Sequence, residues 1–173
     1  MSQWLLFSDL FPVILFTCCF THEPSLLLTG IIVCRSFSLL FHLFAETRPY
    51  LINLDYIGIA CMSFATPAVC RASGCPFCDE YELVLAAAFA LTCTVFAYGL
   101  VKKITLRYAE ASIICLAVIA HGPSAWAVVA TQEYTLLASL SAFAIGFFIV
   151  EPRSHIAWHW IAAAGQGLLV WYI

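Results

Sequence analysis

Along the chain, apolar residues run almost unbroken through seven stretches, at 3–21, 26–45, 51–70, 82–101, 106–128, 133–150 and 154–173. Short polar connections separate them, such as Thr21 to Ser25 and Glu151 to Arg153. An α-helix rises 1.5 Å per residue, so about 20 apolar residues match a hydrocarbon core of roughly 30 Å. The pattern predicts an all-α membrane protein, a single domain built as a seven-transmembrane helix bundle. The first stretch has no basic leader and no small-residue cleavage site, so it is read as a span rather than a signal peptide. No repeat, low-complexity tract or long linker divides the chain.

The basic residues then predict an orientation, because cytoplasmic connections retain Lys and Arg. Arg48, the group Lys102, Lys103 and Arg107, and Arg153 fall on every second connection. The alternate connections hold His22 and Glu23, then Arg71 with Asp79, Glu80 and Glu82, then Glu133. This places the N-terminus in the cytoplasm and the C-terminus outside it. Trp4, Trp126, Trp171 and Tyr172 lie near span ends and read as interface anchors.

Composition narrows the function. Of 173 residues, 64% are hydrophobic and 10% charged, against roughly 45–50% and 25% in soluble domains. The formal net charge of −3 offers no basic field for neutralising phosphates, which excludes nucleic acid as a partner. No phosphate loop, nucleophile elbow or H-E-x-x-H motif is present. The expected partners are the lipid bilayer and a lipid substrate or ligand.

His155 and His159 stand four apart in the seventh stretch, which places both imidazoles on one helix face. Alone, such a pair also fits imidazoles that hydrogen-bond neighbouring helices. Depth adds to it. With the predicted orientation, His42 ends the second span, Asp55 begins the third, and His155 and His159 begin the seventh, all on the cytoplasmic side. Ionisable groups within a membrane are costly and mark functional sites. Three imidazoles with an open fourth position form the ligand set of a hydrolytic zinc site. Asp55 would orient or deprotonate water, and Ser38, one turn before His42, would donate to the reacting carbonyl. Imidazoles also accept iron, nickel and copper.

Ser38-Leu-Leu-Phe-His42, Leu54-Asp55-Tyr56-Ile57-Gly58-Ile59 and Ser154-His155-Ile-Ala-Trp158-His159 resemble, in this order, the S-x-x-x-H, LDYxGI and SHxxxH signatures of the progestin and adipoQ receptor family, which includes haemolysin-III-type proteins. Ser63 to Pro67 and Gly146 to Arg153 are also similar to segments of that family, and the likeness covers about residues 30–173. The resemblance implies a seven-helix fold in which His42, His155 and His159 hold zinc near the cytoplasmic face. It implies that Asp55 reaches zinc through water and that Ser38 lines the site. The spacing of His42 to Asp55, and Trp158 between the histidines, are closer to haemolysin-III-type and ceramidase-like branches than to the adiponectin receptors. The acidic calcium site of alkaline ceramidases has no counterpart, since Asp9 and Glu23 are the only acidic residues before position 30.

The leading expectation is a zinc-dependent hydrolase of a lipid amide. The alternatives are a seven-span receptor with a structural zinc, and a membrane-permeabilising protein of haemolysin-III type. Of nine cysteines, those within spans read as small apolar residues. Cys75 and Cys78, with Cys70 nearby, suit a disulfide better than a metal site, because the non-cytoplasmic side is oxidising. His121 beside Gly122 and Pro123 reads as part of a helix kink, with a place at a ligand cavity as the alternative. Arg35 and Glu110 are expected to pair in the interior or to snorkel.

Overall fold

The computed structural model describes residues 3–22, 25–72, 79–131 and 155–172. Among these, six α-helices follow one another: α1 (Gln3–His22), α2 (Leu26–Phe44), α3 (Ile52–Ala72), α4 (Asp79–Lys102), α5 (Glu110–Thr131) and α6 (His155–Tyr172). Each coincides with one predicted stretch to within about four residues. The remaining stretch, 133–150, and the segment with Cys75 and Cys78 lie outside the described residues, as does the side chain of Cys70. The all-α class is observed. Among the described residues, two helices, Leu26–Phe44 and Glu80–Lys102, are long and apolar enough to cross a membrane.

Local chemistry sets the helix ends. Ser25 caps α2, its Oγ accepting from Leu28 N at 3.2 Å. The α2 terminus is closed by the amides of Thr47 and Arg48, both donating to Phe44 O, before Pro49 redirects the chain. Asn53 joins two connections, its Nδ2 donating to Tyr50 O at 2.8 Å and to Ile104 O at 2.7 Å. Lys103 ends α4 in the left-handed region with φ of 55°.

Two kinds of packing hold the helices. Between α3, α4 and α5 the core is apolar, formed by Ala60, Leu85, Phe96, Ile113, Leu116 and Ala120. Tyr81 reinforces it by donating from α4 to Ile119 O on α5 at 3.0 Å. Between α2 and α3 the contact is close because small residues face the neighbouring helix. A Cβ on Gly30 would stand 2.8 Å from Ala65 Cβ, and one on Gly58 would stand 2.9 Å from Cys34 Cα. Against α1, α6 packs Trp160 beside the rings of Phe7 and Phe11, at 6.1 and 6.3 Å.

Because Gly58 meets backbone rather than a flexible side chain, Gly58→Ala must push α2 from α3. We expect a loss of about 1–3 kcal/mol, typical of overpacking, read as a lower thermal midpoint in detergent. Gly122→Ala is the control. A Cβ there meets nothing within 4 Å, so its midpoint should hold or rise slightly.

Candidate metal centre

The site is assembled from four helices, some of them far apart in the sequence. Asp9 comes from α1, Arg35, Ser38 and His42 from α2, Asp55 from α3, and His159 and Gln166 from α6. All seven side chains are buried. Ser38 and His42 lie one turn apart on α2, whose inward face also carries Leu27, Leu28, Ile31 and Cys34.

Two imidazoles meet at its centre. His42 Nε2 and His159 Nε2 are 3.2 Å apart, with ring planes inclined at 60°. Two ligands of one tetrahedral zinc ion, each bound at about 2.0–2.1 Å, stand about 3.3–3.4 Å from one another, so this separation suits a shared ion. Asp9 completes the group. Its Oδ1 lies 2.7 Å from His159 Nδ1 and its Oδ2 lies 3.7 Å from His42 Nε2. Oδ2 is buried with no hydrogen-bond partner among the described residues. A buried carboxylate oxygen in that condition is costly unless something else satisfies it. Asp9, His42 and His159 offer ligand atoms all within 4.8 Å of one another and could hold a metal ion. Two imidazoles with a carboxylate suit zinc and iron alike.

Arg35 supplies the compensating charge. Its Nη1 is 3.6 Å from Asp9 Oδ1, its Nε donates to Gln166 Oε1 at 2.8 Å, and its Nη2 donates to His159 O at 3.1 Å. It therefore neither pairs with Glu110 nor snorkels. Glu110 is exposed and accepts from Tyr56 Oη.

Beside this group lies a cavity lined by Ser38, Asp55, Ser63, His121 and Gln166, with Cys34, Arg35, Ile59, Met62 and Ala162. Ser38 faces the Asp55 carboxylate across it, yet its buried Oγ makes no hydrogen bond of good geometry among the described residues. Comparison with models of protein families, with curated proteins and with solved structures finds no match.

The predicted residues therefore separate into three sets. His42 and His159 come together, and Ser38 with Asp55 forms the adjoining cavity. His155 opens α6, but its side chain lies outside the described residues. His121 takes the cavity position that was the alternative to its place in a kink. Asp9 is the residue that motif reasoning missed. Its signal was available, since a lone carboxylate six residues into an apolar first helix lies at the same predicted depth as His42 and His159.

Removing Arg35 would leave the Asp9 carboxylate buried and uncompensated. Arg35→Met should cost about 3–5 kcal/mol of stability, the usual loss when one member of a buried pair is deleted. Thermal unfolding measures it, and an unchanged midpoint would mean that Asp9 has found another counter-charge.

Proposed function

We propose that this chain is an integral-membrane metal protein of the progestin and adipoQ receptor and haemolysin-III type, which hydrolyses an amide bond in a lipid. The observation that carries the reading is the pair of Nε2 atoms 3.2 Å apart, from residues 117 apart in sequence, beside a carboxylate oxygen with no hydrogen-bond partner among the described residues. A serine nucleophile fits less well. The Asp9–His159 contact has the form of half a catalytic triad, but His159 Nε2 faces His42, and Ser38 Oγ has no hydrogen-bond partner of good geometry among the described residues.

In the hydrolase, His42 and His159, with His155 one turn before His159, would hold the ion, leaving a coordination position open for water. Zinc there supplies Lewis acidity toward water and toward an acyl carbonyl. The chain's own residues supply the rest. Asp55 takes the proton from the attacking water and returns it to the departing amine nitrogen as the C–N bond breaks. Ser38 Oγ–H donates to the carbonyl oxygen as charge grows on it. Ile59 and Met62, lining the same cavity, keep bulk water from these groups. The products are a carboxylic acid and an amine.

Entry from the bilayer accords with the outer faces of the helices. Leu83, Leu91 and Val101 on α4, and Ile114 and Val118 on α5, are exposed among the described residues, an apolar surface suited to lipid. The cytoplasmic N-terminus belongs to the same proposal, drawn from the placement of Arg48, Lys102, Lys103 and Arg107.

One observation favours a second reading. Asp9 stands with His42 and His159 in one group of ligand atoms, and with His155 would make four protein ligands, a closed set that marks a structural rather than a catalytic zinc. The two readings divide at Asp55. In the hydrolase, Asp55→Asn keeps its metal and loses lipid-amide turnover by at least about 100-fold, the scale of general acid–base catalysis. His42→Ala and His159→Ala lose both. Turnover retained in all three variants contradicts hydrolysis. A purified protein that consumes no lipid amide, yet unfolds on chelation, supports the structural site.

A further inference from the structure

The buried charges that the hydrolytic steps leave unused converge on one ring nitrogen. His159 Nδ1 has Asp9 Oδ1 at 2.7 Å and Arg35 Nη1 at 3.3 Å. Arginine carries no lone pair and a carboxylate carries no proton, so the nitrogen either donates to Asp9 or accepts from Arg35. A separation of 2.7 Å is that of a charge-assisted hydrogen bond, and a lone pair on Nδ1 would be aimed at the carboxylate. That geometry suits a proton on Nδ1. A neutral ring protonated there has no second N–H, so its Nε2 would keep a lone pair facing His42 Nε2.

Arg35 is placed to maintain this arrangement. Its two acceptors on α6, His159 O and Gln166 Oε1, come from residues seven apart, about two helical turns. A guanidinium bridging both fixes the rotation of α6 and its height against α2. The same group stands 3.6 Å from Asp9 Oδ1, so α1 is drawn into the arrangement by charge.

We infer that Asp9 and Arg35 are positioning residues that select the Nδ1–H tautomer of His159 and aim its Nε2, with that of His42, at one metal ion. The inference rests on the metal-site reading proposed above. It assigns to α1 and to the middle of α2 a function that the histidine motifs do not contain. Partners of this kind on a ligand's far nitrogen fix the ring and raise its basicity, and their loss typically lowers metal affinity about 10–100-fold.

Asp9→Asn alone would strand Arg35, so the test uses the double variant Asp9→Asn, Arg35→Gln, which removes both charges and leaves the net charge of the site unchanged. The full chain, purified in detergent and stripped of metal, is compared with this variant by ¹⁵N NMR of the histidines and by Zn²⁺ competition against a chromophoric chelator. We expect the parent to show His159 protonated at Nδ1, and the variant to lose that preference and bind zinc about 10–100-fold more weakly, with unchanged circular dichroism. A proton on Nε2 in the parent, or equal zinc affinity in parent and variant, overturns the positioning role alone. A parent that binds no zinc overturns the metal reading itself and the positioning role with it. Should the double variant fail to fold, Asp9→Glu keeps the charge and displaces the oxygens by one methylene. It should bind zinc more weakly than the parent, and parental affinity overturns the inference.

Discussion

The arrangement of this protein depends on a buried ion pair that cannot be left half made. Asp9 and Arg35 are both almost wholly withdrawn from solvent, and they belong to different helices. In a low-dielectric interior each would be several kcal/mol out of balance without the other. The pair stays favourable only if the remaining donors and acceptors are satisfied, and most of those partners are on α6. His159 Nδ1 meets Asp9, while His159 O and Gln166 Oε1 accept from Arg35. Three helices are thus drawn together by polar groups rather than by shape alone. Asp9 Oδ2, which has no hydrogen-bond partner among the described residues, lies beside the facing imidazoles.

The rest of the fold brings Ser38 and Asp55 to that network. The α2–α3 pair packs at glycine distance through Gly30 and Gly58, which brings the Asp55 face of α3 against the Ser38 face of α2. Helices α4 and α5 close the far side of α3 through an apolar core, and α5 contributes His121 to the cavity. Polar and apolar packing are therefore divided. Charge compensation organises α1, α2 and α6 around the candidate ion, while small-residue and apolar contacts organise α2 to α5 around the cavity beside it.

Much of this was legible in the residues, for identifiable reasons. Helix positions followed from apolar runs of bilayer length, and boundaries from markers such as Ser25 and Pro49. His42, His159, Ser38 and Asp55 were legible because motif spacing and predicted depth agreed. Asp9 was not, because it belongs to no motif and was weighed only against a calcium site. The partner of Arg35 was not legible either. Glu110 was the interior charge that hydropathy alone suggested, whereas Asp9, His159 and Gln166 come from helices whose adjacency is a tertiary fact. Depth reasoning applied to every polar residue of the first span, and not to the histidine motifs alone, would have found Asp9.

The central claim is that the facing imidazoles of His42 and His159 hold a metal ion. The direct measurement is metal content by mass spectrometry on detergent-purified protein, beside a His42→Ala, His159→Ala double variant. The account predicts close to one ion per chain in the parent and none in the variant, with both proteins helical. A folded parent that carries no metal, and takes up none when zinc or iron is offered, would contradict it. The 3.2 Å contact would then be a hydrogen bond between two histidines.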